Sequence, residues 1–483
     1  MSNIAFRLEA NEYVGLGHLY RCLTLANELT KLGWTPTFFI SEVSRGSLGR
    51  IQAHNIQCVV VPELDQVGEA HWMKGWMDQD ELGFQYVVVD HYGLDKTWEA
   101  LVDSDERTLM VIDDLANRPH QCDFLVDMSL DRSGLDYEKW ISKHTKLLLG
   151  TEYCLLRSEF LQNQKMAKAL RRQTQMMKSV LVSFGATDPR NLTSKTLDAL
   201  EDLEFNGDVH VLTTSQNPYL ETLLYREGGN VQVHVDIQNV ADILIEVDVC
   251  IGALGGSTWE RACLGLPSFC VQVAENQAFN ARSLAATGCV NVVEEGALLE
   301  ALSTMLSEDF MPAWHGMSES AFNICDGMGV HRILHQVFEV EPQIELQPMT
   351  DADMESLYLW QTEDGNRAFS REPKAPAWEE HKVWYTRSLD IDSRRMWKIQ
   401  FLGVDCGYVR LDDMGQDEEV SVLLSKKYRR LGLAKAALNQ LKIKAKTACV
   451  LAHVHPENIA SGNLFAKAGF QKVSADTYRW EAS

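Results

Sequence analysis

The sequence predicts an α/β protein of two doubly wound, Rossmann-like halves in succession, followed by a smaller α+β domain. Three observations lead there. Short apolar runs alternate with stretches of helical spacing, twice over. Several of these runs end in Asp or Gly, as buried parallel strands do at the C-terminal edge of a sheet. The rhythm then changes near Val340, where "EVEPQIELQPM" (339–349) carries two prolines and reads as a linker. A length of 483 residues is also too great for one ordinary core.

The elements follow in order. "IAFRLEA" is a short strand; Leu19, Cys22, Leu25, Ala26 and Leu29 then share one helical face, Gly33 stops that helix, and "TPTFFI" is the next strand. "YVVVD" (86–90) and "TLMVID" (108–113) continue the first series. "SVLVSFG" (179–185) opens a second, with "DVHVLTT", "VDVCIGA" and "PSFCVQV" after it. The expected halves are 1–165 and 166–338, with a cleft between them. Residues 343–483 form the third domain: a strand and an acidic helix, a Trp-rich helix ("WEEHKVWYTRSL"), a β-meander from Trp397 to Leu424, a glycine-broken loop, a helix, a strand and a final helix.

Composition excludes some functions. A formal net charge of -23 repels nucleic acids and acidic membranes, so neither is an expected partner. No apolar run reaches transmembrane length, and "MSNIAFRLEANEY" lacks the basic-then-apolar pattern of a signal peptide. The 11 cysteines are scattered, odd in number and without a C-x-x-C, which predicts reduced thiols and a cytoplasmic location.

Two stretches invite anion and sugar chemistry. "GLGHLYRCLTLA" (15–26) puts His18 between a glycine turn and a buried helix, with Arg21 one turn on, on the same face, placed to hold a sugar or to orient a carboxylate. A capping or core histidine is the plainer alternative. "VCIGALGGSTWERACLGLPSFCV" (249–271) runs from a strand through a glycine-rich turn into a helix opening at Ser257 or Thr258, an arrangement whose free N–H groups suit phosphate. The plainer alternative there is an S-x-x-E capping box from Ser257 to Glu260. "IDDLANRPHQCD" contains Asp113, Asp114, His120, Cys122 and Asp123, possible metal ligands by type. Neighbours on an extended strand point to opposite faces, however, and the favoured reading has no metal.

The stretch 249–271, with "ENQAFNARSLAATG" (275–288) after it, resembles the nucleotide-binding part of UDP-sugar enzymes of glycosyltransferase-B fold. "GLGHLYRCLTLA", "VIDDLANRPHQCDFLVD" (111–127), "LLGTEYCLLRSEF" (148–160) and "LVSFGATDPRNLT" (181–193), together with 249–277, carry a nearer one. The nearer resemblance is to the PseG-like UDP-sugar hydrolases of pseudaminic acid synthesis, and it is spread over about residues 1–335. It implies that His18 is the catalytic base that activates water. It implies substrate contacts from Arg7, Glu9, Gly17 and Arg21 on the first half, and from Gly185, Gly255, Gly256, Ser257, Thr258, Glu260, Asn276 and Gln277 on the second, with no metal. Glu260 would hold the ribose. Where that family has roughly R-x-D-x-S, this chain has Arg7, Glu9 and Asn11, so the stereochemistry of the sugar stays open.

The third domain carries "YRRLGLAKAAL" (428–438), in which Arg429, Gly432 and Ala434 fit the [QR]-x-x-G-x-[GA] loop of GNAT acetyltransferases. "PENIASGNLFAKAGF" (456–470) resembles a later segment of that family, and "EEHKVWY" and "WKIQF" resemble its sugar-amine branch, the PseH-like enzymes. The resemblance implies acetyl-CoA as co-substrate, held by Arg429, Arg430, Leu431, Gly432, Leu433, Ala434 and Asn458. Glu419 is the chosen general base, against a solvated strand residue. Phe465 stands where many members of the family have a tyrosine acid, which leaves water, Tyr478 or no acid at all. The expected whole is a bifunctional enzyme acting on a UDP-linked amino sugar. Its rivals are a UDP-sugar glycosyltransferase fused to an acetyltransferase, and a non-catalytic UDP-sugar-binding module serving the acetyltransferase.

Overall fold

The computed structural model describes residues 2–9, 16–41, 45–79 and 83–482, and of residues 45, 46, 276 and 308 the backbone only. Asn11 and Gly15 thus lie outside the described residues, as does the side chain of Asn276. The chain divides into two compact units, Met1–Val330 and His331–Ser483.

The first unit contains two sheets. One has β1 (Asn3–Leu8), β2 (Thr35–Ile40), β3 (Gln57–Val60), β4 (Phe84–Asp90), β5 (Thr108–Ile112), β6 (Phe124–Asp127) and β7 (Lys146–Leu149), in the order β3-β2-β1-β4-β5-β6-β7. The other has β8 (Ser179–Ser183), β9 (Asp208–Thr213), β10 (Val231–Val235), β11 (Val249–Ala253), β12 (Ser268–Val271) and β13 (Val290–Val293), in the order β10-β9-β8-β11-β12-β13. Their strand pairs are parallel. Both are doubly wound orders that reverse between β1 and β4 and between β8 and β11. Ligand crevices form at such reversals, beyond the carboxyl ends of the strands.

β1, β8, β11 and β12 are buried along their whole length, which is why they read as mostly apolar runs, with Arg7 of β1 the charged exception. The helix Gly17–Lys31 follows β1 and buries His18, Leu19, Cys22, Leu25, Ala26 and Leu29. It ends as the sequence predicts: Gly33 is left-handed at φ +85°, and the amides of Gly33 and Trp34 close onto Thr30 and Leu29 in a Schellman motif. The expected boundary at 165/166 cuts the helix Ser158–Gln173. That helix packs on three second-half helices, Val240–Glu246, Ser257–Cys263 and Met311–Ile324. Its buried Arg171 donates to the carbonyls of Val247 (2.5 Å) and Leu244 (2.6 Å). The second half therefore starts near Ser158.

The second unit is a mixed sheet of β14 (Glu345–Pro348), β15 (Arg394–Phe401), β16 (Val404–Asp413), β17 (Glu418–Leu424), β18 (Cys449–His453), β19 (Gln471–Lys472) and β20 (Thr477–Glu481), in the order β14-β15-β16-β17-β18-β20-β19. β14 lies inside the expected linker. It is an edge strand, so its terminal Pro348 costs no ladder hydrogen bond. The sequence reading closed on the helix Ile459–Lys467 and missed β19 and β20, a short hairpin without an apolar run to announce it. β17 and β18 are parallel but pair only at Glu418–Val450 and Glu419–Leu451, then part. No described helix is long and apolar enough to cross a membrane, and no described cysteines form a disulfide.

Packing of β11 on β8 supplies a test. A Cβ on Gly252 would stand 2.2 Å from the Ser183 carbonyl oxygen, so Gly252→Ala must push two central strands apart. We expect about 1–3 kcal/mol of destabilisation, read as a lowered unfolding midpoint of the first unit. An unchanged midpoint would remove the close approach.

Candidate functional site

The carboxyl end of β4 places Asp90 at the first reversal point, fully buried. Arg21 grips its carboxylate with two bonds, Nε to Oδ2 (2.6 Å) and Nη2 to Oδ1 (2.5 Å). His18 Nδ1 lies 2.8 Å from Asp90 Oδ1 and 3.1 Å from the Asp90 carbonyl oxygen. Both neighbours are acceptors, so Nδ1 carries the hydrogen and the lone pair of the neutral ring sits on Nε2. The Tyr92 ring meets His18 edge-on at 4.6 Å, and Arg21 Nη1 and the Tyr92 hydroxyl both reach Asp114 Oδ2 at 3.3 Å. Burial alone would raise the Asp90 carboxyl; the Arg21 guanidinium and His18 outweigh it and hold Asp90 well below the carboxylate range. Next to it, burial and the positive charge of Arg7 push His91 down to about 3, so that ring is neutral at pH 7.

The arrangement orients one imidazole by a buried carboxylate, as a base is oriented in a catalytic triad. Of the two roles expected for Arg21, the geometry has it orienting a carboxylate. Asp90 was missed as a site residue; the available signal was the Asp ending "YVVVD", whose position at the reversal requires the strand order. Gly17 opens the helix, with no atom within 4 Å of where a Cβ would sit. Glu9 is partly exposed, with Oε2 3.8 Å from His91 Nε2.

Arg7 requires a correction. It is 1% exposed, and all five of its N–H donors are spent on the Glu69 carboxylate (2.7 and 2.9 Å), Ser41 Oγ (2.5 Å) and the carbonyls of Leu8 (2.8 Å) and Phe39 (3.5 Å). It ties β1 to β2 and to the helix Gln66–Met77 and has no donor left for a substrate.

The residues of the metal-like cluster are engaged by other partners, with His120 Nε2 4.0 Å from Asp113 Oδ1. Asp113 binds Arg118 (2.5 Å) and Tyr137 (2.8 Å), His120 faces Glu99 (2.7 Å), and Asp123 accepts from the Leu109 amide (2.8 Å). Among the described residues no three His, Cys, Asp or Glu side chains converge as metal ligands.

At the second reversal, Ser257 is the first residue of the helix Ser257–Cys263, and the capping box with Glu260 does not form. The hydroxyls of Ser257 and Thr258 instead accept from the buried Arg261 (2.9 and 3.1 Å), whose guanidinium also reaches the Ala253 carbonyl (2.9 Å). Thr258 is buried under the turn. Gly255 and Gly256 have negative φ and no atom within 4 Å of a built Cβ, so the protein's own packing does not call for glycine there. Gly185, two residues beyond the end of the neighbouring strand β8, is left-handed at φ +92°. Glu260 keeps a carboxylate 22% exposed, 3.5 Å from Arg157 Nη2; burial raises its pKa against the pull of that arginine. Gln277 spends its Oε1 on the Val273 amide (2.9 Å).

Within this unit the two carboxyl edges face each other. Arg50 pairs with Asp236 (2.7 Å) while holding the Tyr20 hydroxyl (3.1 Å), and the Leu130 amide donates to Asn280 Oδ1 (3.2 Å). The Arg132 guanidinium lies 3.8 Å from the Phe279 ring centroid.

In the second unit, the turn after β17 has left-handed Arg430 (φ +64°) and Gly432 (φ +75°) on either side of Leu431, and leads into the helix Leu433–Lys444. Alternating handedness of this kind turns successive N–H groups into a concave anion site. Leu431 and Leu433 bury their side chains and leave their backbone to the turn. Arg429 is bonded to Asn366. Glu419 stands where β17 and β18 part, its Oε1 2.8 Å from Arg371. Asn458 caps the helix Ile459–Lys467 through the Ser461 amide (3.1 Å). Phe465 is buried beside Tyr478 (ring centroids 6.2 Å), and a Cβ on Gly462 would lie 2.8 Å from the Tyr478 hydroxyl. β20, which the sequence reading missed, thus delivers that hydroxyl to the helix bearing Phe465.

Residues 343–471 match the family described as the acetyltransferase (GNAT) domain. The chain is 23% identical over 494 residues to an uncharacterized protein of Methanocaldococcus jannaschii, covering 97% of each. It is 24% identical over 287 residues to the UDP-2,4-diacetamido-2,4,6-trideoxy-beta-L-altropyranose hydrolase of Campylobacter jejuni, covering 59% of this chain and 97% of that one. Among solved structures, MurG of Acinetobacter baumannii matches with a TM-score of 0.52 at 14% identity, over 70% of this chain and 100% of that one, a likeness of fold.

Asp90 sets an expectation for pH. Its folded value lies below the unfolded one near 4, so its contribution to stability is complete above about pH 4 and fades as pH falls towards the folded value. Asp90→Asn should therefore lose stability most at neutral pH, with the gap to wild type narrowing below about pH 4. Melting curves from neutral to acid pH check this; a constant gap would contradict it.

Proposed function

We propose that this chain acetylates and then hydrolyses a UDP-linked amino sugar of pseudaminic (nonulosonic) acid biosynthesis. On this reading the C-terminal unit transfers acetyl from acetyl-CoA to the 4-amino group of UDP-4-amino-4,6-dideoxy-N-acetyl-β-L-altrosamine. The two N-terminal halves then release UDP from UDP-2,4-diacetamido-2,4,6-trideoxy-β-L-altropyranose. The observation that carries the hydrolytic half is His18 held by Asp90 at the reversal point of one sheet, in a unit whose other sheet carries a glycine turn at its own reversal point. Similarity to the Campylobacter hydrolase supplies the substrate class, and the GNAT match supplies the acetyl donor.

The chemistry is compact. Water attacks the anomeric carbon, the bond from that carbon to the UDP oxygen breaks, and its electron pair leaves with UDP. The proton of water passes to His18 Nε2, while Nδ1–H stays on Asp90. Arg21 keeps Asp90 charged and still, which favours the imidazolium as it forms. UDP is a good leaving group, so the second carboxyl of ordinary glycosidases is dispensable. Gly255, Gly256 and Ser257 let the diphosphate approach backbone N–H groups, and Glu260 takes the ribose. Arg7 is a support of this site, not a contact. In the acetyltransferase the turn 429–434 takes the CoA pyrophosphate, Glu419 is the base, and Tyr478 supplies the hydroxyl that Phe465 lacks.

His18→Asn should lower UDP release by at least about a hundredfold, in the range general-base loss usually costs, and leave acetyl transfer intact. UDP release within about tenfold of wild type would take the base role from His18.

Acetylation should come first. If the acetyltransferase anchors on UDP, prior loss of UDP removes binding energy from the chemical step and lowers kcat/KM. Rates of acetyl transfer to the UDP-amino sugar and to the free amino sugar decide it. Equal kcat/KM for the two would reverse the assignment of order.

A further inference from the structure

The sequence places the acetyltransferase from residue 343, and the family match begins there too. The second unit begins earlier, at His331. The twelve intervening residues do more than connect. Arg332, 3% exposed, donates from Nη2 to the Lys427 carbonyl at 2.7 Å. Gln336 donates from Nε2 to the Arg430 carbonyl at 3.3 Å. The His335 ring lies on Gly432: a Cβ built there would stand 2.5 Å from Cε1 and 2.7 Å from Nδ1. Lys435, on the first turn of the following helix, pairs with Glu341 at 2.6 Å. Two of these contacts fall on Arg430 and Gly432, inside the turn 429–434 read above as the pyrophosphate site, and two on Lys427 and Lys435, which flank it.

We propose that residues 331–341 are a back-plate of the anion-binding turn, and that His335 and Gln336 are positioning residues for acetyl-CoA. This rests on the acetyl-CoA reading of that turn. The reason is the direction of a peptide. The carbonyl of Arg430 and the N–H of Leu431 belong to one planar unit and point opposite ways. A donor on that carbonyl turns the N–H towards the concave side, and polarises it as a hydrogen-bond donor. Gln336 does the first, and His335 against Gly432 fixes the left-handed residue that follows. The left-handed backbone at Arg430 is strained and wants support from outside the turn. Residues 331–341 supply that support from sequence lying before the recognisable domain. The same contact explains why glycine is needed at 432 twice over, by φ and by space, so a side chain there would disturb packing before it met any pyrophosphate.

The test uses the full chain with Gln336→Leu and His335→Ala, singly and together. CoA affinity is read by titration calorimetry. Kinetics are compared with acetyl-CoA and with acetyl-pantetheine, which lacks the pyrophosphate. The double variant should bind CoA about five- to tenfold more weakly and raise KM for acetyl-CoA to match, as loss of two supporting contacts predicts. Saturated kcat and the kcat/KM for acetyl-pantetheine should hold within about twofold. Gln336 is partly exposed, so Gln336→Leu alone should fold and show the smaller part of the effect. Unchanged CoA affinity in the double variant would overturn the back-plate. So would an equal loss with both thioesters, which would mark general damage to the domain. Failure of the wild-type chain to bind CoA would instead overturn the acetyl-CoA reading itself.

Discussion

A carboxylate with no solvent contact must be satisfied by its neighbours, and much of the first half is arranged around that requirement at Asp90. Its charge would be prohibitive at the carboxyl end of a buried strand without Arg21, which brings two donors from the helix Gly17–Lys31. The same helix carries His18 one turn earlier, so a single helix both neutralises the carboxylate and presents the ring that uses it. The helix in turn is placed by β1, and β1 is held to its surroundings by Arg7 through Glu69 and the carbonyl of Phe39. The chain of dependence runs from a buried ion pair to a strand, to a helix, to one nitrogen lone pair.

The second half repeats the logic with a different group at its centre. Arg261 is buried, and it gathers the hydroxyls of Ser257 and Thr258 and the carbonyl of Ala253 under the glycine turn. That leaves the turn's upper side to Gly255 and Gly256, glycines with open space above them, whereas Gly252 is accounted for by strand packing. Glycines that look alike in a motif thus separate by cause once their surroundings are known. The ties Arg50–Asp236 and Arg132–Phe279 bring the two carboxyl edges to face each other.

In the C-terminal unit the controlling feature is a sheet that opens. β17 and β18 share two residue pairs and then part, and the turn leaving β17 carries two left-handed residues close to the opening. Neither is stable in isolation: parting strands forfeit ladder bonds, and left-handed backbone at Arg430 costs energy that glycine would not. Contacts from the preceding segment and from the loop bearing Asn366 hold this region in place.

Much of the fold was legible in the sequence, because the features that carry it are local. Apolar runs, helical periodicity, Gly33 and the change of rhythm near Val340 each depend on a few neighbouring residues. His18 and the turns at 255–257 and 429–434 stood out for the same reason. What escaped was set by distance. Asp90, 72 residues after His18 along the chain, becomes its partner only when β4 lies beside β1. Arg7 was expected as a substrate contact on resemblance, and nothing local shows that its five donors are spent, because they go to groups up to 62 residues distant. Gly252 and Gly255 differ in what lies against them, not in sequence context. Residues 331–338 read as the end of the second half and 339–341 as linker, because their partners lie almost a hundred residues on. By itself, then, the sequence determined the elements, their class and the local glycine-rich turns. The tertiary structure decided which charged side chains are spent on one another and which remain for a ligand, because burial and pairing are properties of neighbours in space.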